Sequence, residues 1–405
     1  MQQIVTMIEI LWLYLKYLAL SHSTNIFTHI PIHIIPILNY YNMIDYNVKP
    51  ILIFWETTKA CGLTCRHCRA SALEHSLPDE LSDQEGISLV KSITEFGKPY
   101  PVLILTGGDM MRKHNIDNII ETCEQYGIPV SISPAATDLL TPERVDYFKQ
   151  HHVLSASISL DGNMEMHDWL RGPGIYEKTM DKIQMLNEKH MKLQINSVVM
   201  KKNVHQLPGL LKLLLDNNVK TWEIFFLIQT GRAIDSEDLT PQEFEDINHW
   251  LIFAMNYGMV IRTVESPIFR RCIDDGYDNY SGELYYHLID ETIDLLGFPD
   301  KKNIPPRISN TRDGKGIIFV GHNGDVYPSG FVPYKVGNVK EKSIADIYRN
   351  SETLIKLRDN KNFGGACGTC NWSDSCGGSR SRAYARYGDL FAPDPACLYS
   401  LAPEP

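Results

Sequence analysis

Seven of the nine cysteines fall into two short-spaced groups: Cys61, Cys65 and Cys68 in CGLTCRHC, and Cys367, Cys370, Cys376 and Cys397 near the C-terminus. An odd total clustered in this way points to metal chemistry, not to a disulfide framework, and predicts a reducing, cytoplasmic setting. A cubane iron–sulfur cluster ordinarily takes four cysteines, so the first group leaves one iron open to a ligand's amine and carboxylate. The competing assignment is zinc held by the three thiols and His67, which is disfavoured because adjacent residues such as His67 and Cys68 rarely both point into one tetrahedral site. The second group offers four thiolates, and spacing alone leaves a zinc site and a closed iron–sulfur cluster both open. Cys123, inside an amphipathic segment, reads as a small core residue, and Cys272 as a thiol without a metal role.

From residue 51 onward the hydrophobic pattern alternates between two periods. Strand-like runs at 51–55, 102–106, 129–133, 154–160, 193–200 and 221–228 are separated by helix-like segments at 82–97, 115–126, 141–150, 175–190 and 204–217. Ser82 with Glu85 forms a capping box, and Thr141-Pro142-Glu143 places a hydroxyl cap before a first-turn proline. Strands joined by amphipathic helices predict an α/β fold, a parallel sheet of right-handed crossovers curled into a partial (β/α)6, TIM-like barrel with its chemistry at the C-terminal strand ends. CGLTCRHC follows the first strand and sits at such an end. The chain of 405 residues has 39 Lys+Arg against 49 Asp+Glu, and this acidic balance excludes a nucleic-acid binder that depends on neutralising phosphates.

CGLTCRHC at the end of the first barrel strand resembles the CxxxCxxC signature of the radical S-adenosylmethionine (SAM) enzymes. The resemblance implies a SAM-binding 4Fe–4S cluster on Cys61, Cys65 and Cys68, whose electron cleaves the cofactor to a 5′-deoxyadenosyl radical that abstracts hydrogen from a substrate. Further motifs match position by position. Gly107-Gly108-Asp109 resembles the GGE motif that meets the methionyl amine, with Asp109 in place of the usual Glu. Ser159 and Asp161 in SISLDG, Arg171 in HDWLRG and Asn196 in LQINSVVM correspond to residues near the ribose and methionine moieties. Ordinary structural roles stand beside each of these: a helix cap for Ser159 or Asp161, a surface ion pair for Arg171, backbone satisfaction for Asn196.

The second cysteine group resembles a SPASM or twitch domain carrying an auxiliary 4Fe–4S cluster on Cys367, Cys370, Cys376 and Cys397. Ser329 stands where many such domains have a further cysteine, which implies one auxiliary cluster and not two. The Asn323-Gly324 hairpin signal fits its small β unit. The domain reading is a hydrophobic extension over 1–42, a barrel over 43–235, a helical connector over 236–310 and the auxiliary domain over 311–405. Residues 1–42 match neither a spanning helix nor a secretory signal, which predicts no stable membrane insertion; we read them as an upstream extension before a start at Met43. Within the superfamily, CRHCRASA, WEIFFLIQTGR and YPSGFVP look most like the branch of alternative haem-synthesis enzymes, which oxidatively decarboxylate iron-coproporphyrin propionates to vinyls. The implied substrate is a tetrapyrrole, with Arg270 and Arg271 as weak candidates to grip its carboxylates, and the implied electron donor a ferredoxin or flavodoxin. A peptide maturase, a tungsten–pterin-modifying enzyme and a non-catalytic zinc protein are the alternatives. WEIFFL itself reads as buried strand.

Overall fold

The computed structural model describes residues 44–233, 238–275, 280–300 and 310–400; the 1–42 extension lies outside them. Ten strands form one sheet in the order β10-β9-β8-β1-β2-β3-β4-β5-β6-β7. β1 (Leu52–Glu56), β2 (Val102–Thr106), β3 (Val130–Ile132), β4 (Ala156–Ser159), β5 (Leu193–Val199) and β6 (Thr221–Phe226) are the expected strands, all parallel. Between them run α1 (Asp83–Ile93), α2 (Ile116–Tyr126), α3 (Pro142–Gln150), α4 (Met164–Arg171), α5 (Ile175–Glu188) and α6 (Leu207–Asp216). The capping box at Ser82 and the Thr141 cap with its first-turn proline are both formed. No helix among the described residues is long and apolar enough to cross a membrane.

Two elements extend the expected barrel. The connector is not purely helical: besides α7 (Pro241–Ala254), α8 (Ile268–Asp275) and α9 (Glu283–Leu296) it supplies β7 (Val260–Val264), parallel to β6. This strand is short and carries Arg262 at its centre, which breaks the apolar run that would have marked it in the sequence. β8 (Ile317–Val320) pairs parallel with β1, then turns through Asn323-Gly324 into antiparallel β9 (Asp325–Tyr327) and β10 (Gly337–Asn338). The hairpin of the C-terminal region is therefore fused to the barrel sheet.

Alternation along the strands separates two faces. Ile195 of β5 and Trp222 and Ile224 of β6 are buried on the helical side, where Trp222 meets Trp250 of α7 edge-on with ring centroids 6.2 Å apart. The other face carries a transverse row set by register, Ser159–Asn196–Glu223–Arg262. Trp222 is 0% exposed and its indole N–H donates to Ser197 Oγ at 2.8 Å. Trp222→Ala should accordingly cost about 3–5 kcal/mol, by lost burial plus the cavity left behind, measured by denaturant unfolding; a loss below about 1 kcal/mol would contradict this packing.

Candidate functional site

The first cysteine loop is fixed at its start by the end of β2. Gly108 N–H donates to Thr58 O at 2.7 Å and Asp109 N–H to Ala60 O at 2.8 Å. A Cβ on Gly107 would lie 2.7 Å from Thr58 O, and one on Gly108 2.5 Å from Ala60 O. Only glycines allow this approach. Two other elements hold the loop: Arg66 N–H donates to Leu170 O of α4 at 2.8 Å, and Arg232 N–H, beyond β6, donates to Cys68 O at 3.0 Å. Cys61 and Cys65 are buried and Cys68 partly so. Burial pushes the Cys61 thiol up to about 11, and the nearby Asp109 carboxylate and the other two thiols act in the same direction. Such thiols become thiolates when a metal supplies the compensating charge.

Asp109 sits differently from the GGE expectation. It is 0% exposed, and its carboxylate accepts from Thr137 Oγ1 at 2.9 Å, Met111 N at 3.2 Å and Ala135 N at 3.3 Å. The shorter side chain is consumed in tying the loops after β2 and β3 together. Asp161 is similarly committed: Oδ2 accepts from Arg171 Nε at 2.5 Å and Oδ1 from Val198 N at 2.8 Å. Although desolvation opposes it, the Arg171 guanidinium holds Asp161 down at about 2. Arg171, at the end of α4, lies beside His67 Nε2 at 3.4 Å and is drawn further into its charged form by Asp161 and the Cys65 thiol. Asp161 thus orients Arg171 toward the cysteine loop. Ser159 and Asn196 stand in the row on the non-helical face, and Asn196 Oδ1 accepts from Gln194 Nε2 at 2.8 Å. Sequence reading missed Glu223 and Arg262 of the same row; Gln194 Nε2 also reaches Glu223 Oε2 at 2.9 Å, and burial raises that carboxyl. A lone carboxylate inside the apolar WEIFFL was the available signal.

The second group is drawn together as the spacing implied. Cys367, Cys370, Cys376 and Cys397 line one cavity, with Arg271, Trp372 and Tyr399 beside them. Gly378 adopts φ 66°, and a Cβ there would lie 2.7 Å from Cys367 Sγ. Arg270 and Arg271 face this region: Arg271 Nη2 donates to Glu245 Oε2 at 2.5 Å and Arg270 Nη1 to Ser375 O at 2.9 Å. The pairing with Glu245 and the cation–π contact of Arg271 with Tyr399, 4.8 Å from the ring centroid, account for that placement. Cys272, expected to be idle, lies with Glu245 and His249 in a buried trio whose ligand atoms all fall within 4.8 Å. Ser329 bonds Ser381 Oγ at 3.0 Å, a hydroxyl network where a further thiol would otherwise stand.

The fold and the paired thiol sites define an iron–sulfur enzyme acting at the C-terminal end of a parallel barrel. The chain belongs to the radical SAM superfamily: residues 55–214 match the model of that superfamily, and residues 312–371 match the SPASM iron–sulfur cluster-binding domain. Its cofactors are SAM and iron–sulfur clusters. It is 31% identical over 362 residues, 87% of this chain and 88% of the relative, to an AdoMet-dependent heme synthase of Oleidesulfovibrio alaskensis. The corresponding protein of Methanosarcina barkeri is also 31% identical, over 88% of this chain and 99% of that one. Among solved structures, Streptococcus suis SuiB bound to S-adenosylmethionine shares the fold at 16% identity, covering 98% of this chain and 89% of that chain with a TM-score of 0.63.

Two outcomes follow from the site. Anaerobically reconstituted protein should bind about eight iron atoms per chain, four at each group, and replacing Cys61, Cys65 and Cys68 together should remove half the iron and all SAM cleavage; cleavage by that variant would refute the assignment. His167 Nδ1 accepts from Asp161 N at 3.2 Å, and Nε2 lies 3.2 Å from Thr179 Oγ1, so the buried ring is neutral. Burial lowers it to about 4 from the ordinary 6.5. The unfolded chain then binds the extra proton first, so stability is complete above about pH 6.5 and is lost as pH falls toward 4. His167→Gln should flatten that part of a stability-versus-pH curve, and an unchanged slope would contradict it.

Proposed function

We propose that this chain oxidatively decarboxylates tetrapyrrole propionates to vinyl groups in haem synthesis. The observation that carries the reading is the near end-to-end match to AdoMet-dependent heme synthases at 31–32% identity, against 25% for a mycofactocin maturase. Cys61, Cys65 and Cys68 would hold the first cluster, which with SAM would supply the radical chemistry that removes hydrogen. Gly107 and Gly108 shape the loop that carries it, and Ser159, Asn196 and Arg171 meet the cofactor, Arg171 as a planar donor for its carboxylate. Asp109 and Asp161 are positioning residues in this reading. The balance per side chain is loss of one hydrogen atom, one carbon dioxide and one electron, and the four-cysteine group gives that electron a destination. A ferredoxin or flavodoxin is the proposed external donor. Barrel, connector and auxiliary domain are assigned to 43–235, 236–310 and 311–405.

The test incubates reconstituted protein anaerobically with SAM, dithionite and iron-coproporphyrin. Product should lose one carbon dioxide and two hydrogens per reacting side chain; 5′-deoxyadenosine without any altered tetrapyrrole would overturn the substrate assignment. Replacing Cys376 and Cys397 by Ser in a folded chain should preserve 5′-deoxyadenosine formation and block vinyl product. Undiminished product would rule out an obligatory electron acceptor at the second site.

A further inference from the structure

Three guanidinium groups stand beside the second cysteine group: Arg270 and Arg312 donate to carbonyl oxygens, and Arg380 donates to carbonyl oxygens and reaches the Cys367 thiol. Arg380 is 0% exposed and its Nη1 donates to Leu390 O at 3.2 Å and Ala392 O at 2.7 Å. Arg312, 6% exposed, donates weakly through Nη1 to Ser373 O at 3.4 Å and Asp374 O at 3.5 Å. Arg270 donates to Ser375 O at 2.9 Å and also to Thr311 O. Neighbouring Arg271 and Arg382 have Glu245 and Asp394 as ion-pair partners, whereas among the described residues these three have no carboxylate within 4.0 Å. Buried Nε and Nη2 of Arg312 have no hydrogen-bond partner. Phe363 lies between two of the cations, its ring centroid 5.0 Å from Arg312 and 4.4 Å from Arg380.

Buried cations without counter-charge are costly, and a fold retains them when something nearby supplies the anion. The anionic groups within reach are the thiolates and, for Arg312, the Asp374 carboxylate: a Cβ on Gly378 would meet both Arg380 Nη2 at 2.5 Å and Cys367 Sγ at 2.7 Å, and Arg270 and Arg312 interact electrostatically with Cys376. Four thiolates around a 4Fe–4S core form a net anion, which gains a further negative charge on reduction. Fixed cations in a shell walled by Phe363, Trp372 and Tyr399 are little screened by salt and stabilise the reduced form most.

We propose that Arg270, Arg312 and Arg380 set the reduction potential of the auxiliary cluster, holding it high enough to accept the electron released by the oxidised substrate. The proposal rests on the reading that Cys367, Cys370, Cys376 and Cys397 hold a 4Fe–4S cluster; the cation effect itself does not depend on the substrate's identity. Iron and sulfide analysis of the parent separates the two, because a parent lacking the second cluster overturns that reading and this proposal together.

The experiment uses the full chain with Cys61, Cys65 and Cys68 replaced by Ala, so that the second cluster is observed alone in a redox titration followed by electron paramagnetic resonance. Arg312→Gln and Arg270→Gln should each leave the cluster at least tenfold less reduced at the parent's midpoint, a downward displacement of about 59 mV for one electron. Arg312→Lys, which keeps the charge, should titrate with the parent. Loss of iron from Arg312→Gln but not from Arg312→Lys would also support the proposal, since charge then decides whether the cluster is held. A Gln variant that keeps its iron and titrates with the parent, or a Lys variant that falls as far as Gln, would overturn it.

Discussion

The approach of two glycine backbones to the start of the first cysteine loop is the constraint on which the site depends. Gly107 and Gly108 at the end of β2 leave no room for a side chain against Thr58 and Ala60, and the N–H groups of Gly108 and Asp109 continue the β1–β2 ladder beyond the last paired residues. Cys61 therefore leaves β1 from a fixed point. From there α4 holds Arg66 and the segment after β6 holds Cys68, so three separate crossovers define one eight-residue loop. Distributing the anchors over the barrel makes the loop a property of the whole sheet.

Charge organises the two sites differently. At the first, buried Asp161 pairs with partly buried Arg171, and the positive end is aimed toward the thiols and His67. At the second, Arg271 and Arg382 pair with Glu245 and Asp394, while Arg270 and Arg312 donate to carbonyl oxygens beside the thiols. Because β8 of the C-terminal region pairs with β1, whose chain continues into the first cysteine loop, the two regions share one sheet. That continuity fixes the C-terminal strands directly against the barrel.

Much of this was legible in the sequence because local signals agreed with the fold. Ser82 with Glu85, Thr141 with Pro142, and the strand Val102–Thr106 each announce their element through caps or apolar alternation. β7 was hidden because Arg262 interrupts its apolar run, and α4 because its only clear start signal is the Asn163 cap, whose side chain accepts from Met166 N at 3.0 Å. The roles of Asp109, Arg270 and Arg271 depended on partners distant in sequence. Thr137, Ser375 and Glu245 redirect these side chains, and no spacing rule within a motif contains that information.

If Cys61, Cys65 and Cys68 hold a cluster with an open iron, that group alone should bind SAM. The most direct test is the hyperfine coupling between a reduced cluster and SAM labelled isotopically at the methionyl amino nitrogen. The account predicts coupling in the full chain, its retention when Cys376 and Cys397 are replaced, and its loss when Cys61, Cys65 and Cys68 are replaced. Coupling that survives loss of the first group, or disappears only with the second, would contradict it.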